Sequence, residues 1–465
     1  MKKKKLFQND IQLDGFKDAN PEKLPKKYYR ELVIHFRNYS DKELFEEKTG
    51  LLLKENKSII YHPNKNNKLF NNINKNISVK IEEFKKINPW DEYYTNMPEY
   101  LCNDCNGIVC KLIFENKDDV DYFQKFIDTK LTEKTKYIWF PKNEKNHWGS
   151  KVWRTKEDIQ PRFPIFIVSK GRASINATAK YLIWMGIKLF FLIVEEQEYD
   201  DYLKYFDKEH LLILPKEYQE KYETVDPEGD EMELPVGSGA ARNFAWDYSI
   251  KLGFDYHWVM DDNILGFFRF NDNRFYKVKS GAYFRVMEDF VTRYENITMA
   301  GPNYQKFVTG NDIHEPITWN TRIYSCNLIK NNSPYRWRCR YNEDTDLSVR
   351  MLKDGNCLAL FNSFPNDKAT TKQFKGGNTD TIYQIGTGVK SRALARLHPD
   401  VTQVVYKFSR IHHYIDYRKF KNKPELKSEI KDTNNYKFYL DDIKDGELFV
   451  DWVKEYNKKR GIINE

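Results

Sequence analysis

From Pro161 onward, short apolar runs alternate with segments of helical pattern, as an α/β domain with a parallel sheet requires. Ile165 to Val168, Leu189 to Val194 and Leu211 to Leu214 are the first three predicted strands. A helix is predicted from an N-cap at Ser238 to Leu252, and the next strand, from Tyr256, stops at Asp261. The pattern predicts a Rossmann-like nucleotide-binding half, in which ligands lie at the carboxyl ends of the strands.

The first 150 residues contain an internal repeat that an ungapped shift aligns. Phe45 and Pro63 of the first copy correspond to Phe123 and Pro141 of the second, and an apolar run precedes each phenylalanine. Each copy has the pattern strand, helix, strand. We expect two small α+β modules, over residues 1–75 and 76–152, then a large domain over 153–425 and a helical extension over 426–465.

Composition limits the class of protein only broadly. The 465 residues exceed what one core usually organises, and a hydrophobic content of 40% excludes a disordered chain. Six scattered cysteines suggest reduced thiols, since Cys102, Cys105 and Cys110 lack a fourth zinc ligand. We expect a soluble, cytoplasmic protein with no membrane span. The net charge of +8 supports a polyanionic partner weakly, because 76 basic residues stand against 68 acidic ones.

Asp261, Asp262 and Asn263 directly follow a hydrophobic strand and offer hard oxygen ligands suited to Mg²⁺ or Mn²⁺. A divalent cation held in this way could neutralise a leaving diphosphate. The alternative is an Asx-type turn, which uses the same residue types without any ligand.

The segment from Asn342 to Asp346 is a second acidic cluster, and it precedes a helix predicted from Leu347 to Lys353. One interpretation is an N-cap at Asn342 followed by acidic residues that favour the helix dipole. The other is catalytic, because a carboxylate at this place can accept a proton from an acceptor hydroxyl. Asp344 is the predicted base.

Several cationic residues could bind a diphosphate. Lys170 and Arg172 follow the first strand, and Arg242 lies just after Gly237-Ser238-Gly239, where a helix N-terminus would face an anion. Arg410 and His412 form a late cluster that could contact diphosphate or complete a metal shell. A histidine pair such as His412 and His413 is more often structural.

Read in order, seven motifs resemble the phage glycosyltransferases found beside TET/JBP-like pyrimidine hydroxylases, which are related to the enzyme that glucosylates base J. The motifs are Ser169 to Arg172, Ala241 to Phe244, Trp258 to Ile264, Asn320 to Ser325, Tyr341 to Leu347, Gly376 to Asp380 and His398 to Asp400. The resemblance implies a GT-A fold over residues 153–425 and a UDP-sugar donor. It also implies an acceptor hydroxymethyl group on 5-hydroxymethylcytosine or 5-hydroxymethyluracil in phage DNA. Asp-Asp-Asn stands here where GT-A enzymes commonly have Asp-x-Asp.

These considerations assign expected roles to the motif residues. The catalytic residues are Asp344 and Glu343; the donor-binding residues are Ser169, Lys170, Arg172, Glu195, Arg242, Asn243, Asp261 and Arg410; the metal ligands are Asp262, Asn263 and His412; and the acceptor-binding residues are Asn320, Arg322, Tyr324, Asp346, Gly377 and Asn378. Two alternatives stay open. The same fold could glycosylate a protein or small molecule, or the chain could be a DNA-binding accessory protein without activity. The sugar, the base, the anomeric configuration and the oligomeric state are not determined by the sequence.

Overall fold

A computed structural model describes residues 29–36, 39–53, 58–61, 97–98, 100, 108–127, 129–133, 135–140, 151–225, 237–271, 274–308, 314–369, 387–407, 410–429, 437–444 and 447–462. Contacts divide the chain into two compact units. One comprises residues 1–80 and 104–144, and the other residues 81–103 and 145–465.

The first unit contains the two repeats, and their strands form a single sheet. The elements are β1 Arg30–Phe36, α1 Tyr39–Thr49, β2 Ser58–Tyr61, β3 Ile108–Phe114, α2 Lys117–Phe123 and β4 Tyr137–Phe140. The strand order is β2-β3-β1-β4, with β1 and β3 antiparallel in the centre. This is the order of the ferredoxin-like β-α-β-β-α-β arrangement.

Each repeat therefore completes the other, which corrects the expectation of two separate modules. The second strand of each copy pairs with the first strand of the other, because β4 lies parallel to β1 and β2 parallel to β3. The aromatic side chains also pack between the two copies. Phe140 of the second copy packs on Phe45 of the first with ring centroids 4.9 Å apart, and Tyr61 packs on Phe123 at 5.3 Å. A lone two-stranded copy could not bury these rings.

The second unit is built on a large mixed sheet. Its strands are β5 Lys151–Thr155, β6 Ile165–Val168, β7 Phe190–Val194, β8 Leu211–Ile213, β9 Tyr256–Asp261, β10 Ile264–Asn271, β11 Arg274–Val278, β12 Ile297–Tyr304, β13 Ile317–Trp319, β14 Cys326–Lys330, β15 Cys357–Lys368 and β18 Phe438–Asp442. A separate hairpin joins β16 Thr402–Lys407 and β17 Arg410–Ile415. The sheet order is β18-β5-β11-β10-β15-β12-β14-β9-β6-β7-β8, with β13 against β15.

The helices of this unit are α3 Ala177–Trp184, α4 Tyr199–Leu203, α5 Lys216–Glu220, α6 Gly239–Lys251, α7 Ala282–Val291, α8 Glu343–Lys353, α9 Thr387–Leu397 and α10 Phe449–Lys459. Two hydrophobic clusters stabilise them against the sheet. One includes Trp258 and Phe284, and the other includes Trp246 and Leu347, and all four side chains are fully buried.

The Rossmann-like half predicted from the sequence is present. Strands β8, β7, β6 and β9 are adjacent in that order and parallel. Chain order 3-2-1-4 puts a topological switch point between β6 and β9, where a ligand crevice forms. The next strand, β14, runs antiparallel to β9 and carries the chain across to the other half of the sheet.

The predicted helix starts were less accurate than the strands. The helix after β6 begins at Ala177 and not near Ala173, because the Asn176 side chain accepts from the Ala179 N–H at 3.0 Å and caps it. Asn342 is not a side-chain cap. Its backbone is left-handed with φ 54°, and its side-chain amide donates to the Lys390 carbonyl.

Candidate active site

A cleft of about 500 Å³ opens at the carboxyl ends of β6 and β9, at the switch point. Ser169 and Lys170 follow β6, Glu195 follows β7, and Asp261 ends β9. The N-terminal turns of α6 and α8 complete the wall and bring Arg242, Glu343 and Asp344 to the same space. These side chains converge because parallel strands end at one edge of the sheet.

Arg242 is the central charge of the cleft. It is buried, and its guanidinium pairs with Asp344, with Asp261 at 2.7 Å and with Glu343 at 3.8 Å. Although burial opposes its charge, the carboxylates of Asp344 and Asp261 raise the pKa of Arg242. Its guanidinium also lies 4.6 Å from the ring centre of Trp337, which holds it in place.

The two acidic residues at the end of β9 have different environments. Burial favours a higher pKa for Asp261, but Lys368 and Arg242, which pair with its two oxygens, hold that pKa well below the ordinary value. Burial raises the pKa of Asp262, although Arg172 pairs with Oδ1 at 2.7 Å and the Ser169 hydroxyl donates to Oδ2 at 2.8 Å.

Of the predicted metal ligands, Asp262 is already paired with protein donors in this arrangement. All four carboxylate oxygens of Asp261 and Asp262 already accept from a protein donor, three of them from a cation. No group of three or more His, Cys, Asp or Glu side chains converges within the described ranges. Asn263 Oδ1 is buried without a hydrogen-bond partner, and His412 lines the cleft. The need for a divalent ion therefore stays a prediction.

Asp344 has the properties of a general base. Burial raises its pKa to about 7, with Arg242 acting in the opposite direction and Glu343 adding to the rise. Arg242 pairs with Oδ1, and the carboxyl lines the cleft. A base whose pKa lies near neutrality is matched to proton transfer at physiological pH. The Ser238 hydroxyl donates to Glu343 at 2.9 Å, so Glu343 joins the two helix N-termini.

The donor-binding residues predicted from the sequence are mostly assembled here. Lys170 pairs with Glu195 at 2.6 Å, and the Gln219 amide donates to the same carboxylate at 2.9 Å. Arg410 and His412 reach the cleft from β17. Burial, and then the charge of Arg410, lower the pKa of His412, so its imidazole is neutral near pH 7.

Asn243 and Asn320 do not line the cleft, and Gly377 and Asn378 cannot be placed. Asn243 is used inside the fold, since its amide exchanges two hydrogen bonds with the Trp337 backbone at 2.8 and 2.9 Å. Asn320 is buried and donates to the Asn422 carbonyl at 2.7 Å. Gly377 and Asn378 lie outside the described residues.

Asp346, expected to bind the acceptor, is instead a buried ion-pair centre. It is 0% exposed and pairs with Arg338 at 3.0 Å, with Arg350 at 2.7 Å and with His398 at 3.0 Å. Burial opposes its charge, but His398 and Arg338 hold its pKa below the ordinary value. It points away from the cleft because Asp344 and Asp346 lie on different sides of helix α8.

The sequence did not identify Lys368, Tyr304, Phe307, Ser325 or Arg340, all of which line the cleft. Lys368 ends β15 and bridges Asp261 and the Ser325 hydroxyl. Its strand contains asparagine and proline, so no buried-strand pattern pointed to its end. Ser325 closes the motif from Asn320 to Ser325, and the structure shows left-handed non-glycine residues at both ends of that loop, which mark a constrained site.

Eight lysine and arginine side chains and five carboxylates line the cleft. This excess of positive charge at the switch point of the Rossmann-like half suits the binding of a nucleoside diphosphate. Residues 163–377 match the TET-Associated Glycosyltransferase family. The match confirms the resemblance drawn from the motifs and spans β6 to β15, whereas β17 lies outside it. The matched segment contains Arg242, Asp261 and Asp344 together.

A search of curated proteins found no match. Among the described residues, none of the helices combines the length and apolar character that a membrane crossing needs.

Proposed function

We infer that this chain transfers a sugar from a UDP-sugar to the hydroxymethyl group of a modified pyrimidine in DNA, through a GT-A-type domain. The observation that carries the inference is the pairing of Asp344, Arg242 and Asp261 at the carboxyl end of β9, within a cleft of excess positive charge. The family match supports the transferase class, and its TET association supports a hydroxymethylated base as acceptor.

The nucleoside would lie over β6 and β7. Glu195 follows the second strand of the Rossmann-like half, where a carboxylate suits the ribose hydroxyls. Lys170 and Gln219 hold this carboxylate in place. The diphosphate would then extend toward the N-terminus of α6 and the cations Lys368 and Arg410.

The transfer proceeds as a single displacement. The acceptor oxygen forms a bond to the anomeric carbon, the bond from that carbon to the diphosphate oxygen breaks, and UDP leaves with the bonding electrons. Asp344 takes the proton of the acceptor hydroxyl. Arg242 stabilises the charge of the Asp344 carboxylate before the transfer and holds the protonated group in the same orientation after it. A divalent ion, if bound at Asp262, Asn263 and His412, would supply charge neutralisation of the diphosphate.

The acceptor base must be accessible to this cleft. In duplex DNA it would leave the stack, as it does for other base-modifying enzymes.

The test is mass spectrometry of nucleosides from hydroxymethylated DNA incubated with the protein and a panel of UDP-sugars. A mass increase of one hexosyl residue on 5-hydroxymethyl-2′-deoxycytidine or 5-hydroxymethyl-2′-deoxyuridine is expected, and inverted configuration at the anomeric carbon is expected by NMR of the product. Unmodified DNA is the control. Sugar transfer to protein or small molecules with no transfer to DNA would contradict the proposed acceptor, and the same reactions with EDTA and with added Mn²⁺ test the metal requirement.

A further inference from the structure

A smaller cavity of about 190 Å³ adjoins the cleft, and aromatic side chains separate the two. Tyr304, Phe307, Arg322 and Tyr324 line both spaces. Strand β12 ends at Tyr304 and a short 3-10 turn follows, from Gln305 to Phe307. Neither Tyr304 nor Phe307 belongs to a recognised motif.

The rings are arranged as a platform. Tyr304 and Tyr324 are nearly parallel, with an angle of 24° and centroids 6.2 Å apart, and Phe307 lies 5.9 Å from Tyr304. Phe307 is 54% exposed, which leaves one aromatic face in solvent beside the cleft. Aromatic faces held in this way stack nucleic-acid bases of any sequence.

Hydrogen bonds to the catalytic end of the cleft hold the tyrosine rings in position. The Tyr304 hydroxyl and the Ser325 hydroxyl share a hydrogen bond of 2.7 Å, and Ser325 also accepts from Lys368. The Thr345 hydroxyl, next to Asp344 in the chain, donates to the Tyr324 hydroxyl at 3.4 Å. Burial raises the pKa of both Tyr304 and Tyr324, and the charge of Asp344 adds to the rise at both.

Two cations flank the platform. Lys306 Nζ is exposed and lies 5.3 Å from the ring centres of both Tyr304 and Phe307. The Arg322 guanidinium lies 5.0 Å from the ring centre of Tyr324. Aromatic rings that stack on bases, together with cations that contact phosphates, are the combination that binds single-stranded nucleic acid.

We propose that the Tyr304, Phe307 and Tyr324 platform receives the acceptor pyrimidine as an unstacked base, with Lys306 contacting an adjacent phosphate. This rests on the proposed function and names the part of the cleft that holds its acceptor. The hydroxymethyl group then faces Asp344, which lines the same cleft as the platform.

The experiment measures base stacking directly and does not depend on turnover. A short single-stranded oligonucleotide carries the fluorescent pyrimidine analogue pyrrolo-cytosine in place of the acceptor base. Binding to the full chain is expected to quench its fluorescence. Phe307→Ala is expected to weaken this binding about 5- to 150-fold, which corresponds to about 1–3 kcal/mol per stacked base. Phe307→Trp is expected to restore it, because it returns an aromatic face.

Tyr439→Ala is the matched control. Tyr439 is also an exposed aromatic residue, at 38%, but it lies on β18 at the opposite end of the sheet from β6 and β7. This variant should bind and quench as the unaltered protein does. Lys306→Gln should lower the slope of log affinity against log salt concentration by about 0.7, the value for one single-strand phosphate contact.

The outcomes separate this proposal from the proposed function. Equal oligonucleotide affinity and quenching in Phe307→Ala and the unaltered protein would overturn the platform, even if DNA is glycosylated. Loss of binding that Phe307→Trp does not restore would also overturn it. Quenching that depends on Phe307, together with no sugar transfer to any DNA, would preserve the platform and refute the proposed reaction.

Discussion

The sharpest consequence of the cleft geometry concerns Asp344. Asparagine has the same shape as aspartate but cannot take the proton of the acceptor hydroxyl, so Asp344→Asn should remove base catalysis while leaving most of the cleft intact. Arg242 keeps Asp261 at 2.7 Å and Glu343 at 3.8 Å as partners in this variant. The protein should therefore fold and still bind UDP.

The magnitude follows from the role. Loss of a positioned general base lowers turnover by about 10²- to 10⁴-fold, or about 3–5 kcal/mol of barrier. The pH dependence gives a second number. Because the pKa of Asp344 is about 7, activity at limiting substrate should fall about tenfold per pH unit below pH 7, as the carboxylate gains a proton.

The assay is initial-rate UDP release with hydroxymethylated DNA from pH 5.5 to 8.5, beside UDP binding by calorimetry. In Asp344→Asn the acidic limb of the profile should disappear and UDP affinity should stay within a few-fold. Glu343→Gln is the matched control, since it changes the neighbouring carboxylate of the same helix turn. If Glu343→Gln removes turnover and the acidic limb while Asp344→Asn keeps both, the base is Glu343 and the reasoning is wrong.

Three further variants test the charge network. Asp346→Asn should destabilise the protein by about 3–5 kcal/mol, seen as a lower Tm, because it breaks a buried ion-pair centre. In the unaltered protein, the stability that the Asp346 carboxylate contributes is present above the ordinary aspartate pKa and is lost as the pH falls below about 4. A normal Tm with weaker DNA binding would return Asp346 to the acceptor site. Asp262→Ala removes the ion pair between Asp262 and Arg172, so thermal melting should show a loss of stability, part of which Arg172→Met in the same chain should recover. A melting curve unchanged by Asp262→Ala would contradict the pairing. Lys368→Met should raise the Kd for UDP about 10- to 150-fold, since a charge-assisted hydrogen bond contributes about 1.5–3 kcal/mol. An unchanged Kd by calorimetry would show that Lys368 does not bind the donor.

The expected consequence of removing Asp262 differs between the sequence and the structure. From sequence, a strand-end carboxylate is exposed and adds little to the core. In the folded chain Asp262 is 4% exposed and accepts from both Arg172 and Ser169. The residue that follows a strand is buried here because the β6 loop folds back over it, and strand periodicity carries no information on that loop.

The amino-acid sequence by itself determined the strands of the Rossmann-like half and the edge at which the site forms. Ile165–Val168 and Tyr256–Asp261 are buried strands that end in polar residues, and such runs define both the strand and its ligand-facing end. It also indicated Arg242, Asp261 and Asp344, because each lies in the N-terminal turn of a helix or at the end of a strand. Local pattern is sufficient for features that depend on neighbours in the chain.

Only the tertiary structure decided which charges meet. Asp344 and Asp346 are two residues apart, yet one joins Arg242 in the cleft and the other is buried against Arg338 and His398. The repeats exchange strands because β1 and β3 pair across about 80 residues of chain. The platform of Tyr304 and Tyr324 joins the end of β12 to the loop before β14. These contacts form between residues that are far apart in the chain, and the local sequence pattern does not predict such pairing.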